Sequence, residues 1–342
     1  MPITGAAFTF LLFFLHLDNP RTPLGAGLKA VDWLGSLGIV GGTLMFLLGL
    51  EFGGISFPWN SPTVICLIVF GILTGGLFVL NEWKYARFPI MPIRLFRSSS
   101  SVAALGVCFM HGFVFIAGSY YLPLYFQAVL GATPLLSGVY LLPFVMSLSI
   151  MSASTGTFIK RTGKYRPPIW FGLTVMTVGF GLLIDLDASP NWPKIIIFQI
   201  VAGIGVGPNF QSPLIALQTQ IEPRDIATAT ATFGFIRTLS TAVSVVIGGV
   251  VFQNQMEQKY QSLVAALGAP TANLLSGGSA GANVGILNSL PLAEQRIAQQ
   301  AFFESLRTMW ILVGFISSLF LIDLGKPGDY QRLAIKSTHF VL

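Results

Sequence analysis

The sequence predicts an all-α polytopic membrane protein, and three observations predict it. The first is composition: of 342 residues, 53% are hydrophobic and only 9% are charged. A soluble globular domain carries about 25% charged residues, so a water-facing surface of this size would be short of charge. Lipid accepts apolar side chains without penalty and makes up the deficit. The second is that the apolar residues fall in long runs. The third is that the basic residues collect in short segments between those runs.

A spanning helix needs about 20 mostly apolar residues, within a range of roughly 17–25. Nine candidate runs are found, at approximately 3–17, 33–50, 62–80, 102–128, 134–158, 168–186, 195–220, 226–253 and 308–324. The first is short and reads as a membrane helix, because no small-residue cleavage site follows it. The run 102–128 carries His111 and ends in Tyr120, Tyr121, Tyr125 and Gln127, which suit a cavity wall or an interfacial aromatic belt equally. The run 195–220 contains Pro208 and Pro213, and 226–253 contains Arg237. The last run is also short, with Asp323 at its edge.

Orientation follows from charge. If the segment after the first run is cytoplasmic, the inside segments are 18–32, 81–101, 159–167, 221–225 and the tail 326–342. They hold Arg21, Lys29, Lys84, Arg87, Arg94, Arg97, Lys160, Arg161, Lys164, Arg166, Arg224, Lys326, Arg332 and Lys336, which is 14 of the 19 basic residues. The other side holds four, Lys194, Lys259, Arg296 and Arg307, and Arg237 lies within a run. An alternating split of 14 to 4 supports nine spans and a cytoplasmic C-terminus. The segment 254–301 then faces outward. It is rich in Ala, Gly, Ser, Asn and Gln and is expected to be a solvated connector, with Asn273-Leu-Leu and Ala293-Glu-Gln-Arg296 suited to a short surface helix.

Several function classes find no support. The net charge of +6 is spent on topology, so no nucleic-acid partner is expected. Cys66 and Cys108 lie inside apolar runs and give neither a disulfide framework nor metal-ligand spacing. There is no Walker A loop, no His-Glu-x-x-His and no Gly-x-Ser-x-Gly, so no ATP-driven pump, no hydrolase, no catalytic residue and no cofactor is expected.

Ionisable residues inside a membrane are costly and therefore candidates for function. Arg237 lies mid-run, on a stripe of small or polar residues formed by Thr230, Gly234, Thr241, Ser244 and Gly248. Two readings are open: substrate or conformational coupling, or an arginine pinned to backbone carbonyls at a packing seam. A second stripe, Ala202, Gly205, Asn209, Ser212, Ala216 and Gln220, lies on the proline-bearing run, with Gln211 beside it. Broken helices of this kind line substrate pathways or serve as kinked structural elements. His111 suits a proton relay or a hydrogen-bonded packing site. No carboxylate lies mid-membrane, since Glu51, Asp185 and Asp323 are all at run edges.

The loop Gly156-Thr-Phe-Ile-Lys160-Arg161-Thr-Gly163-Lys164-Tyr-Arg166 resembles the Gly-x-x-x-Asp-Arg-x-Gly-Arg-Arg motif of the major facilitator superfamily, with Lys160 in place of the aspartate. Longer stretches are similar to fungal members of its fourteen-helix drug:proton antiporter branch. They include Asp32-Trp33-Leu-Gly35, Trp59-Asn60-Ser61-Pro62, Tyr120-Tyr121-Leu-Pro123-Leu-Tyr125-Phe126-Gln127, Gly203-Ile-Gly205-Val-Gly207-Pro208-Asn209-Phe210-Gln211, Ala229-Thr230-Ala-Thr-Phe-Gly234-Phe-Ile-Arg237 and Phe252-Gln253-Asn254-Gln255-Met256.

The resemblance implies a partial major facilitator fold of about nine transmembrane helices. Residues 1–101 would hold the end of helix six and two linker helices. Residues 102–325 would form a complete C-terminal six-helix bundle, followed by the tail 326–342. Five N-terminal helices and most of a sixth would be absent. In such a fold Arg237, Asn209, Gln211, His111 and Thr241 would face a central cavity. Gly156, Lys160, Arg161, Gly163, Lys164 and Arg166 would act in the cytoplasmic loop as a gate or a topology anchor. The implied partners are the lipid bilayer, a hydrophobic small molecule, a proton and a missing N-terminal half. The implied location is the plasma membrane or a vacuolar membrane. Two readings of function remain: an exporter of drugs, toxins and other metabolites by proton antiport, or a truncated chain that does not transport.

Overall fold

The structure is a computed structural model that describes residues 2–14, 25, 31–54, 56–87 and 89–324. The tail 326–342 and the basic residues Arg21 and Lys29 lie outside the described residues. In chain order the α-helices are α1 (Pro2–Phe14), α2 (Trp33–Phe52), α3 (Pro62–Lys84), α4 (Ser99–Ala128), α5 (Pro134–Tyr140), α6 (Leu142–Thr162), α7 (Arg166–Leu183) and α8 (Trp192–Val206). They continue with α9 (Ser212–Gln218), α10 (Ile226–Gln258), α11 (Tyr260–Leu267), α12 (Ala269–Leu274) and α13 (Leu292–Leu324). No strand is present among the described residues.

Among the described residues every predicted run is mainly helical, and residues 15–17 of the first run lie outside them. Among the described residues, six helical segments are long and apolar enough to cross a membrane: α2, α3, α4, α6, α10 and the α8–α9 stretch Trp192–Gln218. The start of α7 is polar and proline-rich, at Arg166-Pro167-Pro168. α13 begins sixteen residues before the predicted run at 308, because its first turns carry Glu294, Arg296 and Glu304.

The helix starts are set by short polar residues followed by proline. Ser61 accepts from the Val64 amide at 3.3 Å, with Pro62 in the first turn. Thr133 accepts from Leu136 N at 3.3 Å before Pro134, and Asn191 accepts from Lys194 N at 3.4 Å around Pro193. A side-chain oxygen satisfies a first-turn amide, and proline lacks the amide that would otherwise be left over. The predicted run 134–158 is divided at Leu141, where Pro143 cannot donate to the preceding turn.

α2 and α3 form an antiparallel hairpin. Its seam repeats every seven residues on both sides: Gly35, Gly42 and Gly49 are buried on α2, and Val64, Gly71 and Phe78 on α3. A Cβ on Gly71 would lie 2.7 Å from Phe46 N. Lipid tails are as apolar as leucine, so membrane helices associate by close packing and hydrogen bonds rather than by hydrophobic burial. Small residues at the seam provide that packing. The hairpin is joined at its open end by Asn81, which donates to Asp32 Oδ2 at 2.8 Å.

α4, α7, α8, α10 and α13 build the bundle around Tyr121, Tyr125, Phe126, Phe180, Phe302 and Trp310. Cross-helix hydrogen bonds tie it. Tyr121 donates to Val245 O at 2.8 Å and Ser244 to Phe113 O at 2.6 Å. Of the six apolar segments named above, α6 is the least covered, with 11% of its apolar stretch buried, so one side of the bundle presents an open apolar face.

At one end, Arg94 meets Asp225 at 2.5 Å. These residues come from 81–101 and 221–225, two segments that the charge count assigned to one side. At the other end, Tyr125 donates to Asp187 O at 2.8 Å, and Lys194 pairs with Asp185 at 2.8 Å and Asp187 at 3.2 Å. Lys259 pairs there with Glu304. That ammonium holds the Glu304 carboxyl below the usual carboxylate range, with a second hydrogen bond from Gln300 at 2.9 Å.

The segment 254–301 corrects the expectation of a solvated connector. Its Leu263, Ala272, Leu275, Ala280, Leu287 and Ala298 are buried in the main core. Asn273-Leu-Leu closes α12, and Ala293-Glu-Gln-Arg296 is the first turn of α13 instead of a separate surface helix. Enough leucines are interspersed among the small residues to seat the segment on the ends of α4, α10 and α13.

Candidate functional site

The site is built on a break. α8 runs to Val206, and Gly207–Phe210 then tightens into a 3₁₀ turn before α9 resumes at Ser212. Pro208 and Pro213 cause it, because neither carries an amide hydrogen for the carbonyl one turn earlier. Arg237, reaching from α10, fills the gap. Its Nη2 donates to Phe210 O at 2.8 Å, and its guanidinium lies 5.3 Å from the Phe210 ring centroid and 4.9 Å from that of Phe233. The Arg237 Nε is buried without a protein partner. This geometry pins Arg237 to a carbonyl and two aromatic faces.

His111, on α4, is fully buried. Its Nε2 lies 3.0 Å from Val206 O, which can only accept, so Nε2 carries the hydrogen. The ring meets Phe210 edge-on at 4.7 Å and stacks on Phe115 at 6.1 Å. Arg237, Phe210 and His111 therefore form one connected group across α10, the break and α4. No carboxylate belongs to it.

The other predicted residues are placed differently. Asn209 is fully buried on the far side of the break, against Gly172 of α7, and neither atom of its amide has a protein partner. Ala202, Gly205, Ser212 and Ala216 are buried with it, while Gln220 is exposed. Ala202, Gly205 and Asn209 of the stripe thus pack on α7, while Ala216 belongs to a second cluster with Ala104, Leu105 and Cys108 of α4 and Phe233 of α10. A Cβ on Gly205 would sit 2.1 Å from Met176 N, so the two backbones touch there. Gln211 is exposed. Thr241 is half-buried and bonds within its own helix, to Thr238 O at 2.8 Å.

The stripe around Arg237 is also split. Ser244 and Gly248 pack on α4, whereas Thr230 and Gly234 are exposed. The buried line of α10 recurs every fourth residue, at Ser240, Ser244, Gly248, Phe252 and Met256, so it drifts away from Arg237. Phe210 and Phe233, which define the arginine's seat, carry no polar signal that would have singled them out. Gln199 was also missed. It is fully buried, donates to Ile195 O at 3.2 Å, and stands as a lone amide in an apolar run.

Of the residues expected in a loop, Gly156, Lys160 and Arg161 lie on α6, which Gly163 ends in the left-handed region at φ 68°, and Lys160, Arg161 and Lys164 are exposed. Gly156 is exposed and Arg166 is half-buried at the start of α7. A left-handed turn costs a side-chain-bearing residue about 1–2 kcal/mol. Gly163→Val is therefore expected to raise the opened-loop population roughly 5–30-fold. Trypsin cleavage after Lys160 and Arg161, timed in detergent, measures this, and an unchanged rate would remove the role given to Gly163.

Residues 2–245 match the family model of the Major Facilitator Superfamily. The chain belongs to the major facilitator superfamily. Among curated members of this superfamily it is 54% identical over 312 residues to "Efflux pump dotC" of Dothistroma septosporum, covering 91% of this chain and 53% of that protein. It is 45% identical over 322 residues to "MFS-type transporter ppz2" of Metarhizium majus, covering 94% and 56%. It is 40% identical over 334 residues to an "MFS-type transporter" of Aspergillus terreus, covering 94% and 59%. The chain spans about half the length of the curated relatives it matches. Apolar spans and superfamily membership together make it a multi-pass membrane protein. Among the described residues, no group of three or more His, Cys, Asp or Glu side chains is placed to hold a metal ion.

Proposed function

We propose that this chain takes part in exporting hydrophobic and amphipathic small molecules across a membrane by proton antiport, and that it performs no enzymatic reaction. The observation that carries this reading is its 54% identity to a protein named an efflux pump across 91% of the chain. The broken α8–α9 helix supports it. Transporters place discontinuous helices near the bilayer midplane, where irregular backbone is tolerated beside a cavity. Arg237 couples that break to α10, and Asn209 keeps two unmet hydrogen-bonding atoms beside it. A buried amide without a partner costs about 1–3 kcal/mol, which suits an element that changes partners as the bundle moves. The plasma membrane, with a cytoplasmic C-terminus, is the proposed location.

The test is efflux of the hydrophobic dye Nile red from yeast cells expressing the chain, alone and together with the N-terminal half of an efflux-pump relative. Faster dye loss than in vector controls is expected, slowed by a protonophore and by Arg237→Ala. Dye loss equal to the vector control in both settings would overturn the exporter reading. Dye loss only on co-expression would assign transport to the assembled pair.

A further inference from the structure

Four serines follow two arginines where the chain enters α4, in Arg94-Leu-Phe-Arg97-Ser98-Ser99-Ser100-Ser101. Protein kinases choose their acceptors partly by charge pattern, and arginines shortly before a serine form such a pattern. Elsewhere, hydroxyls that directly follow an arginine are already engaged. Among the described residues these are Thr162, Thr238 and Thr308. They donate to Phe158 O at 2.8 Å, Gly234 O at 3.0 Å and Glu304 O at 3.1 Å, each one turn back in its own helix.

The serine run differs. Ser98 lies just before α4 in extended backbone, at φ −90° and ψ 123°, and its hydroxyl makes no capping bond, unlike Ser61, Thr133 and Asn191. Ser99 and Ser100 stand in the first turn, where the helix has no carbonyl one turn back to hold a hydroxyl. Ser99 is exposed, Ser98 and Ser100 are half-buried, and Ser101 is buried. The arginines sit on one turn, with Arg97 N donating to Arg94 O at 3.2 Å. Arg97 is exposed, and the half-exposed side chain of Arg94 pairs with Asp225, the buried residue that precedes α10.

We propose that the run Ser98–Ser100 is a phosphorylation site for a protein kinase that reads basic residues. A serine Oγ bonds to the γ-phosphorus of ATP as the bond from that phosphorus to the β,γ-bridging oxygen breaks. ADP leaves with the electron pair, and the hydroxyl proton passes to the kinase's catalytic base. The phosphoserine carries about −1.5 to −2 charge at pH 7 and three acceptor oxygens. That charge exceeds the single charge of Asp225, so Arg94 turns to the phosphate and leaves a buried carboxylate unpaired at the start of α10. The inference rests on the proposed cytoplasmic placement of segment 81–101, because ATP and protein kinases meet the chain on that side.

The experiment treats the full chain, purified in maltoside micelles, with ATP and the catalytic subunit of cAMP-dependent protein kinase. Micelles leave both ends of the bundle open, so orientation does not enter. Tandem mass spectrometry is expected to find phosphate within Ser98–Ser100, a mapping that needs no variant to fold. The label is expected to vanish when Ser98→Ala, Ser99→Ala and Ser100→Ala are combined. Arg97→Gln is expected to slow labelling about tenfold, and Thr162→Ala to leave it unchanged. No phosphate in the run, or an equal rate with Arg97→Gln, would overturn the proposal. Hydrogen exchange reads the step at Arg94. Amides 230–234, early in α10, are expected to exchange about fivefold faster after phosphorylation, with no such change in Asp225→Asn. Equal exchange with and without phosphate in the unsubstituted chain would overturn the transfer of Arg94.

Sealed yeast vesicles separate the placement from the chemistry. With kinase and ATP added outside, inside-out vesicles are expected to take label in the run and right-side-out vesicles are not. Labelling of right-side-out vesicles alone would overturn the cytoplasmic placement, and with it the modification in cells. Failure in micelles would overturn the phosphorylation site and leave the placement standing.

Discussion

Truncating Arg237 to alanine is expected to destabilise the folded chain by about 3 kcal/mol. A hydrogen bond from a charged donor contributes about 1.5–3 kcal/mol, and each cation–π contact about 0.5–2 kcal/mol. Arg237→Ala removes one of the first and two of the second, and it leaves Phe210 O without this donor at a proline-broken turn. Arg237→Lys is expected to recover about half. A lysine keeps the charge but not the planar fork that reaches a carbonyl while lying on two rings. Thermal unfolding of the detergent-purified chain, followed by tryptophan fluorescence, reads both variants. Equal midpoints for wild type and Arg237→Ala would mean that the clamp adds nothing to stability.

A larger effect is expected at Gly205. The Cβ of any other residue there would fall 2.1 Å from Met176 N and 2.4 Å from its Cα. Both are backbone atoms and cannot swing aside. Overpacking a well-filled interior costs typically about 1–3 kcal/mol, and Gly205→Val adds three carbons against a rigid wall, so at least about 3 kcal/mol is expected. Gly181 is the matched control. It lies on α7 with nothing within 4 Å of its added Cβ, so Gly181→Ala is expected to be neutral or to stabilise by up to about 1 kcal/mol. The monodisperse fraction recovered by size-exclusion chromatography separates the two. Comparable yields for Gly205→Val and Gly181→Ala would show that the α7–α8 seam has slack which the geometry denies.

Much of the fold was legible in the chain because hydropathy is a one-dimensional property. Residues such as Leu67-Ile68-Val69-Phe70 declare a membrane helix without reference to any partner. Alternating charge could order the spans because each segment must lie on one side or the other, and Arg94–Asp225 joins two segments assigned to the same side. The sites were less legible because a stripe states what a helix offers and not what it meets. Asn209, Gly205 and Ala202 read as a pathway lining or a kinked support, and their close contact with Gly172, Met176 and Gly179 of α7 carries no mark in the stripe itself. Arg237 was conspicuous as a charge in an apolar run, but its seat is made by Phe210 and Phe233, which look like any other membrane phenylalanines. Asp225, separated from Arg94 by 131 residues, carried no local mark at all. Segment 254–301 was misjudged because its small and polar residues outnumber leucines that are spaced irregularly and become buried one at a time.

The seven-residue rhythm of the α2–α3 hairpin has a consequence for how this region can change over generations. Only a thin line of positions, among them Gly42, Gly71 and Phe78, is fixed by its neighbour across the seam. Between these positions most of each helix surface is exposed in this chain, at residues such as Leu37, Leu44, Ile72 and Leu77, and makes no contact across the seam. Exchanges among leucine, isoleucine, valine and phenylalanine on those outer faces leave the seam contacts untouched. The hairpin can therefore lose almost all recognisable spelling while a sparse beat of glycines preserves its shape.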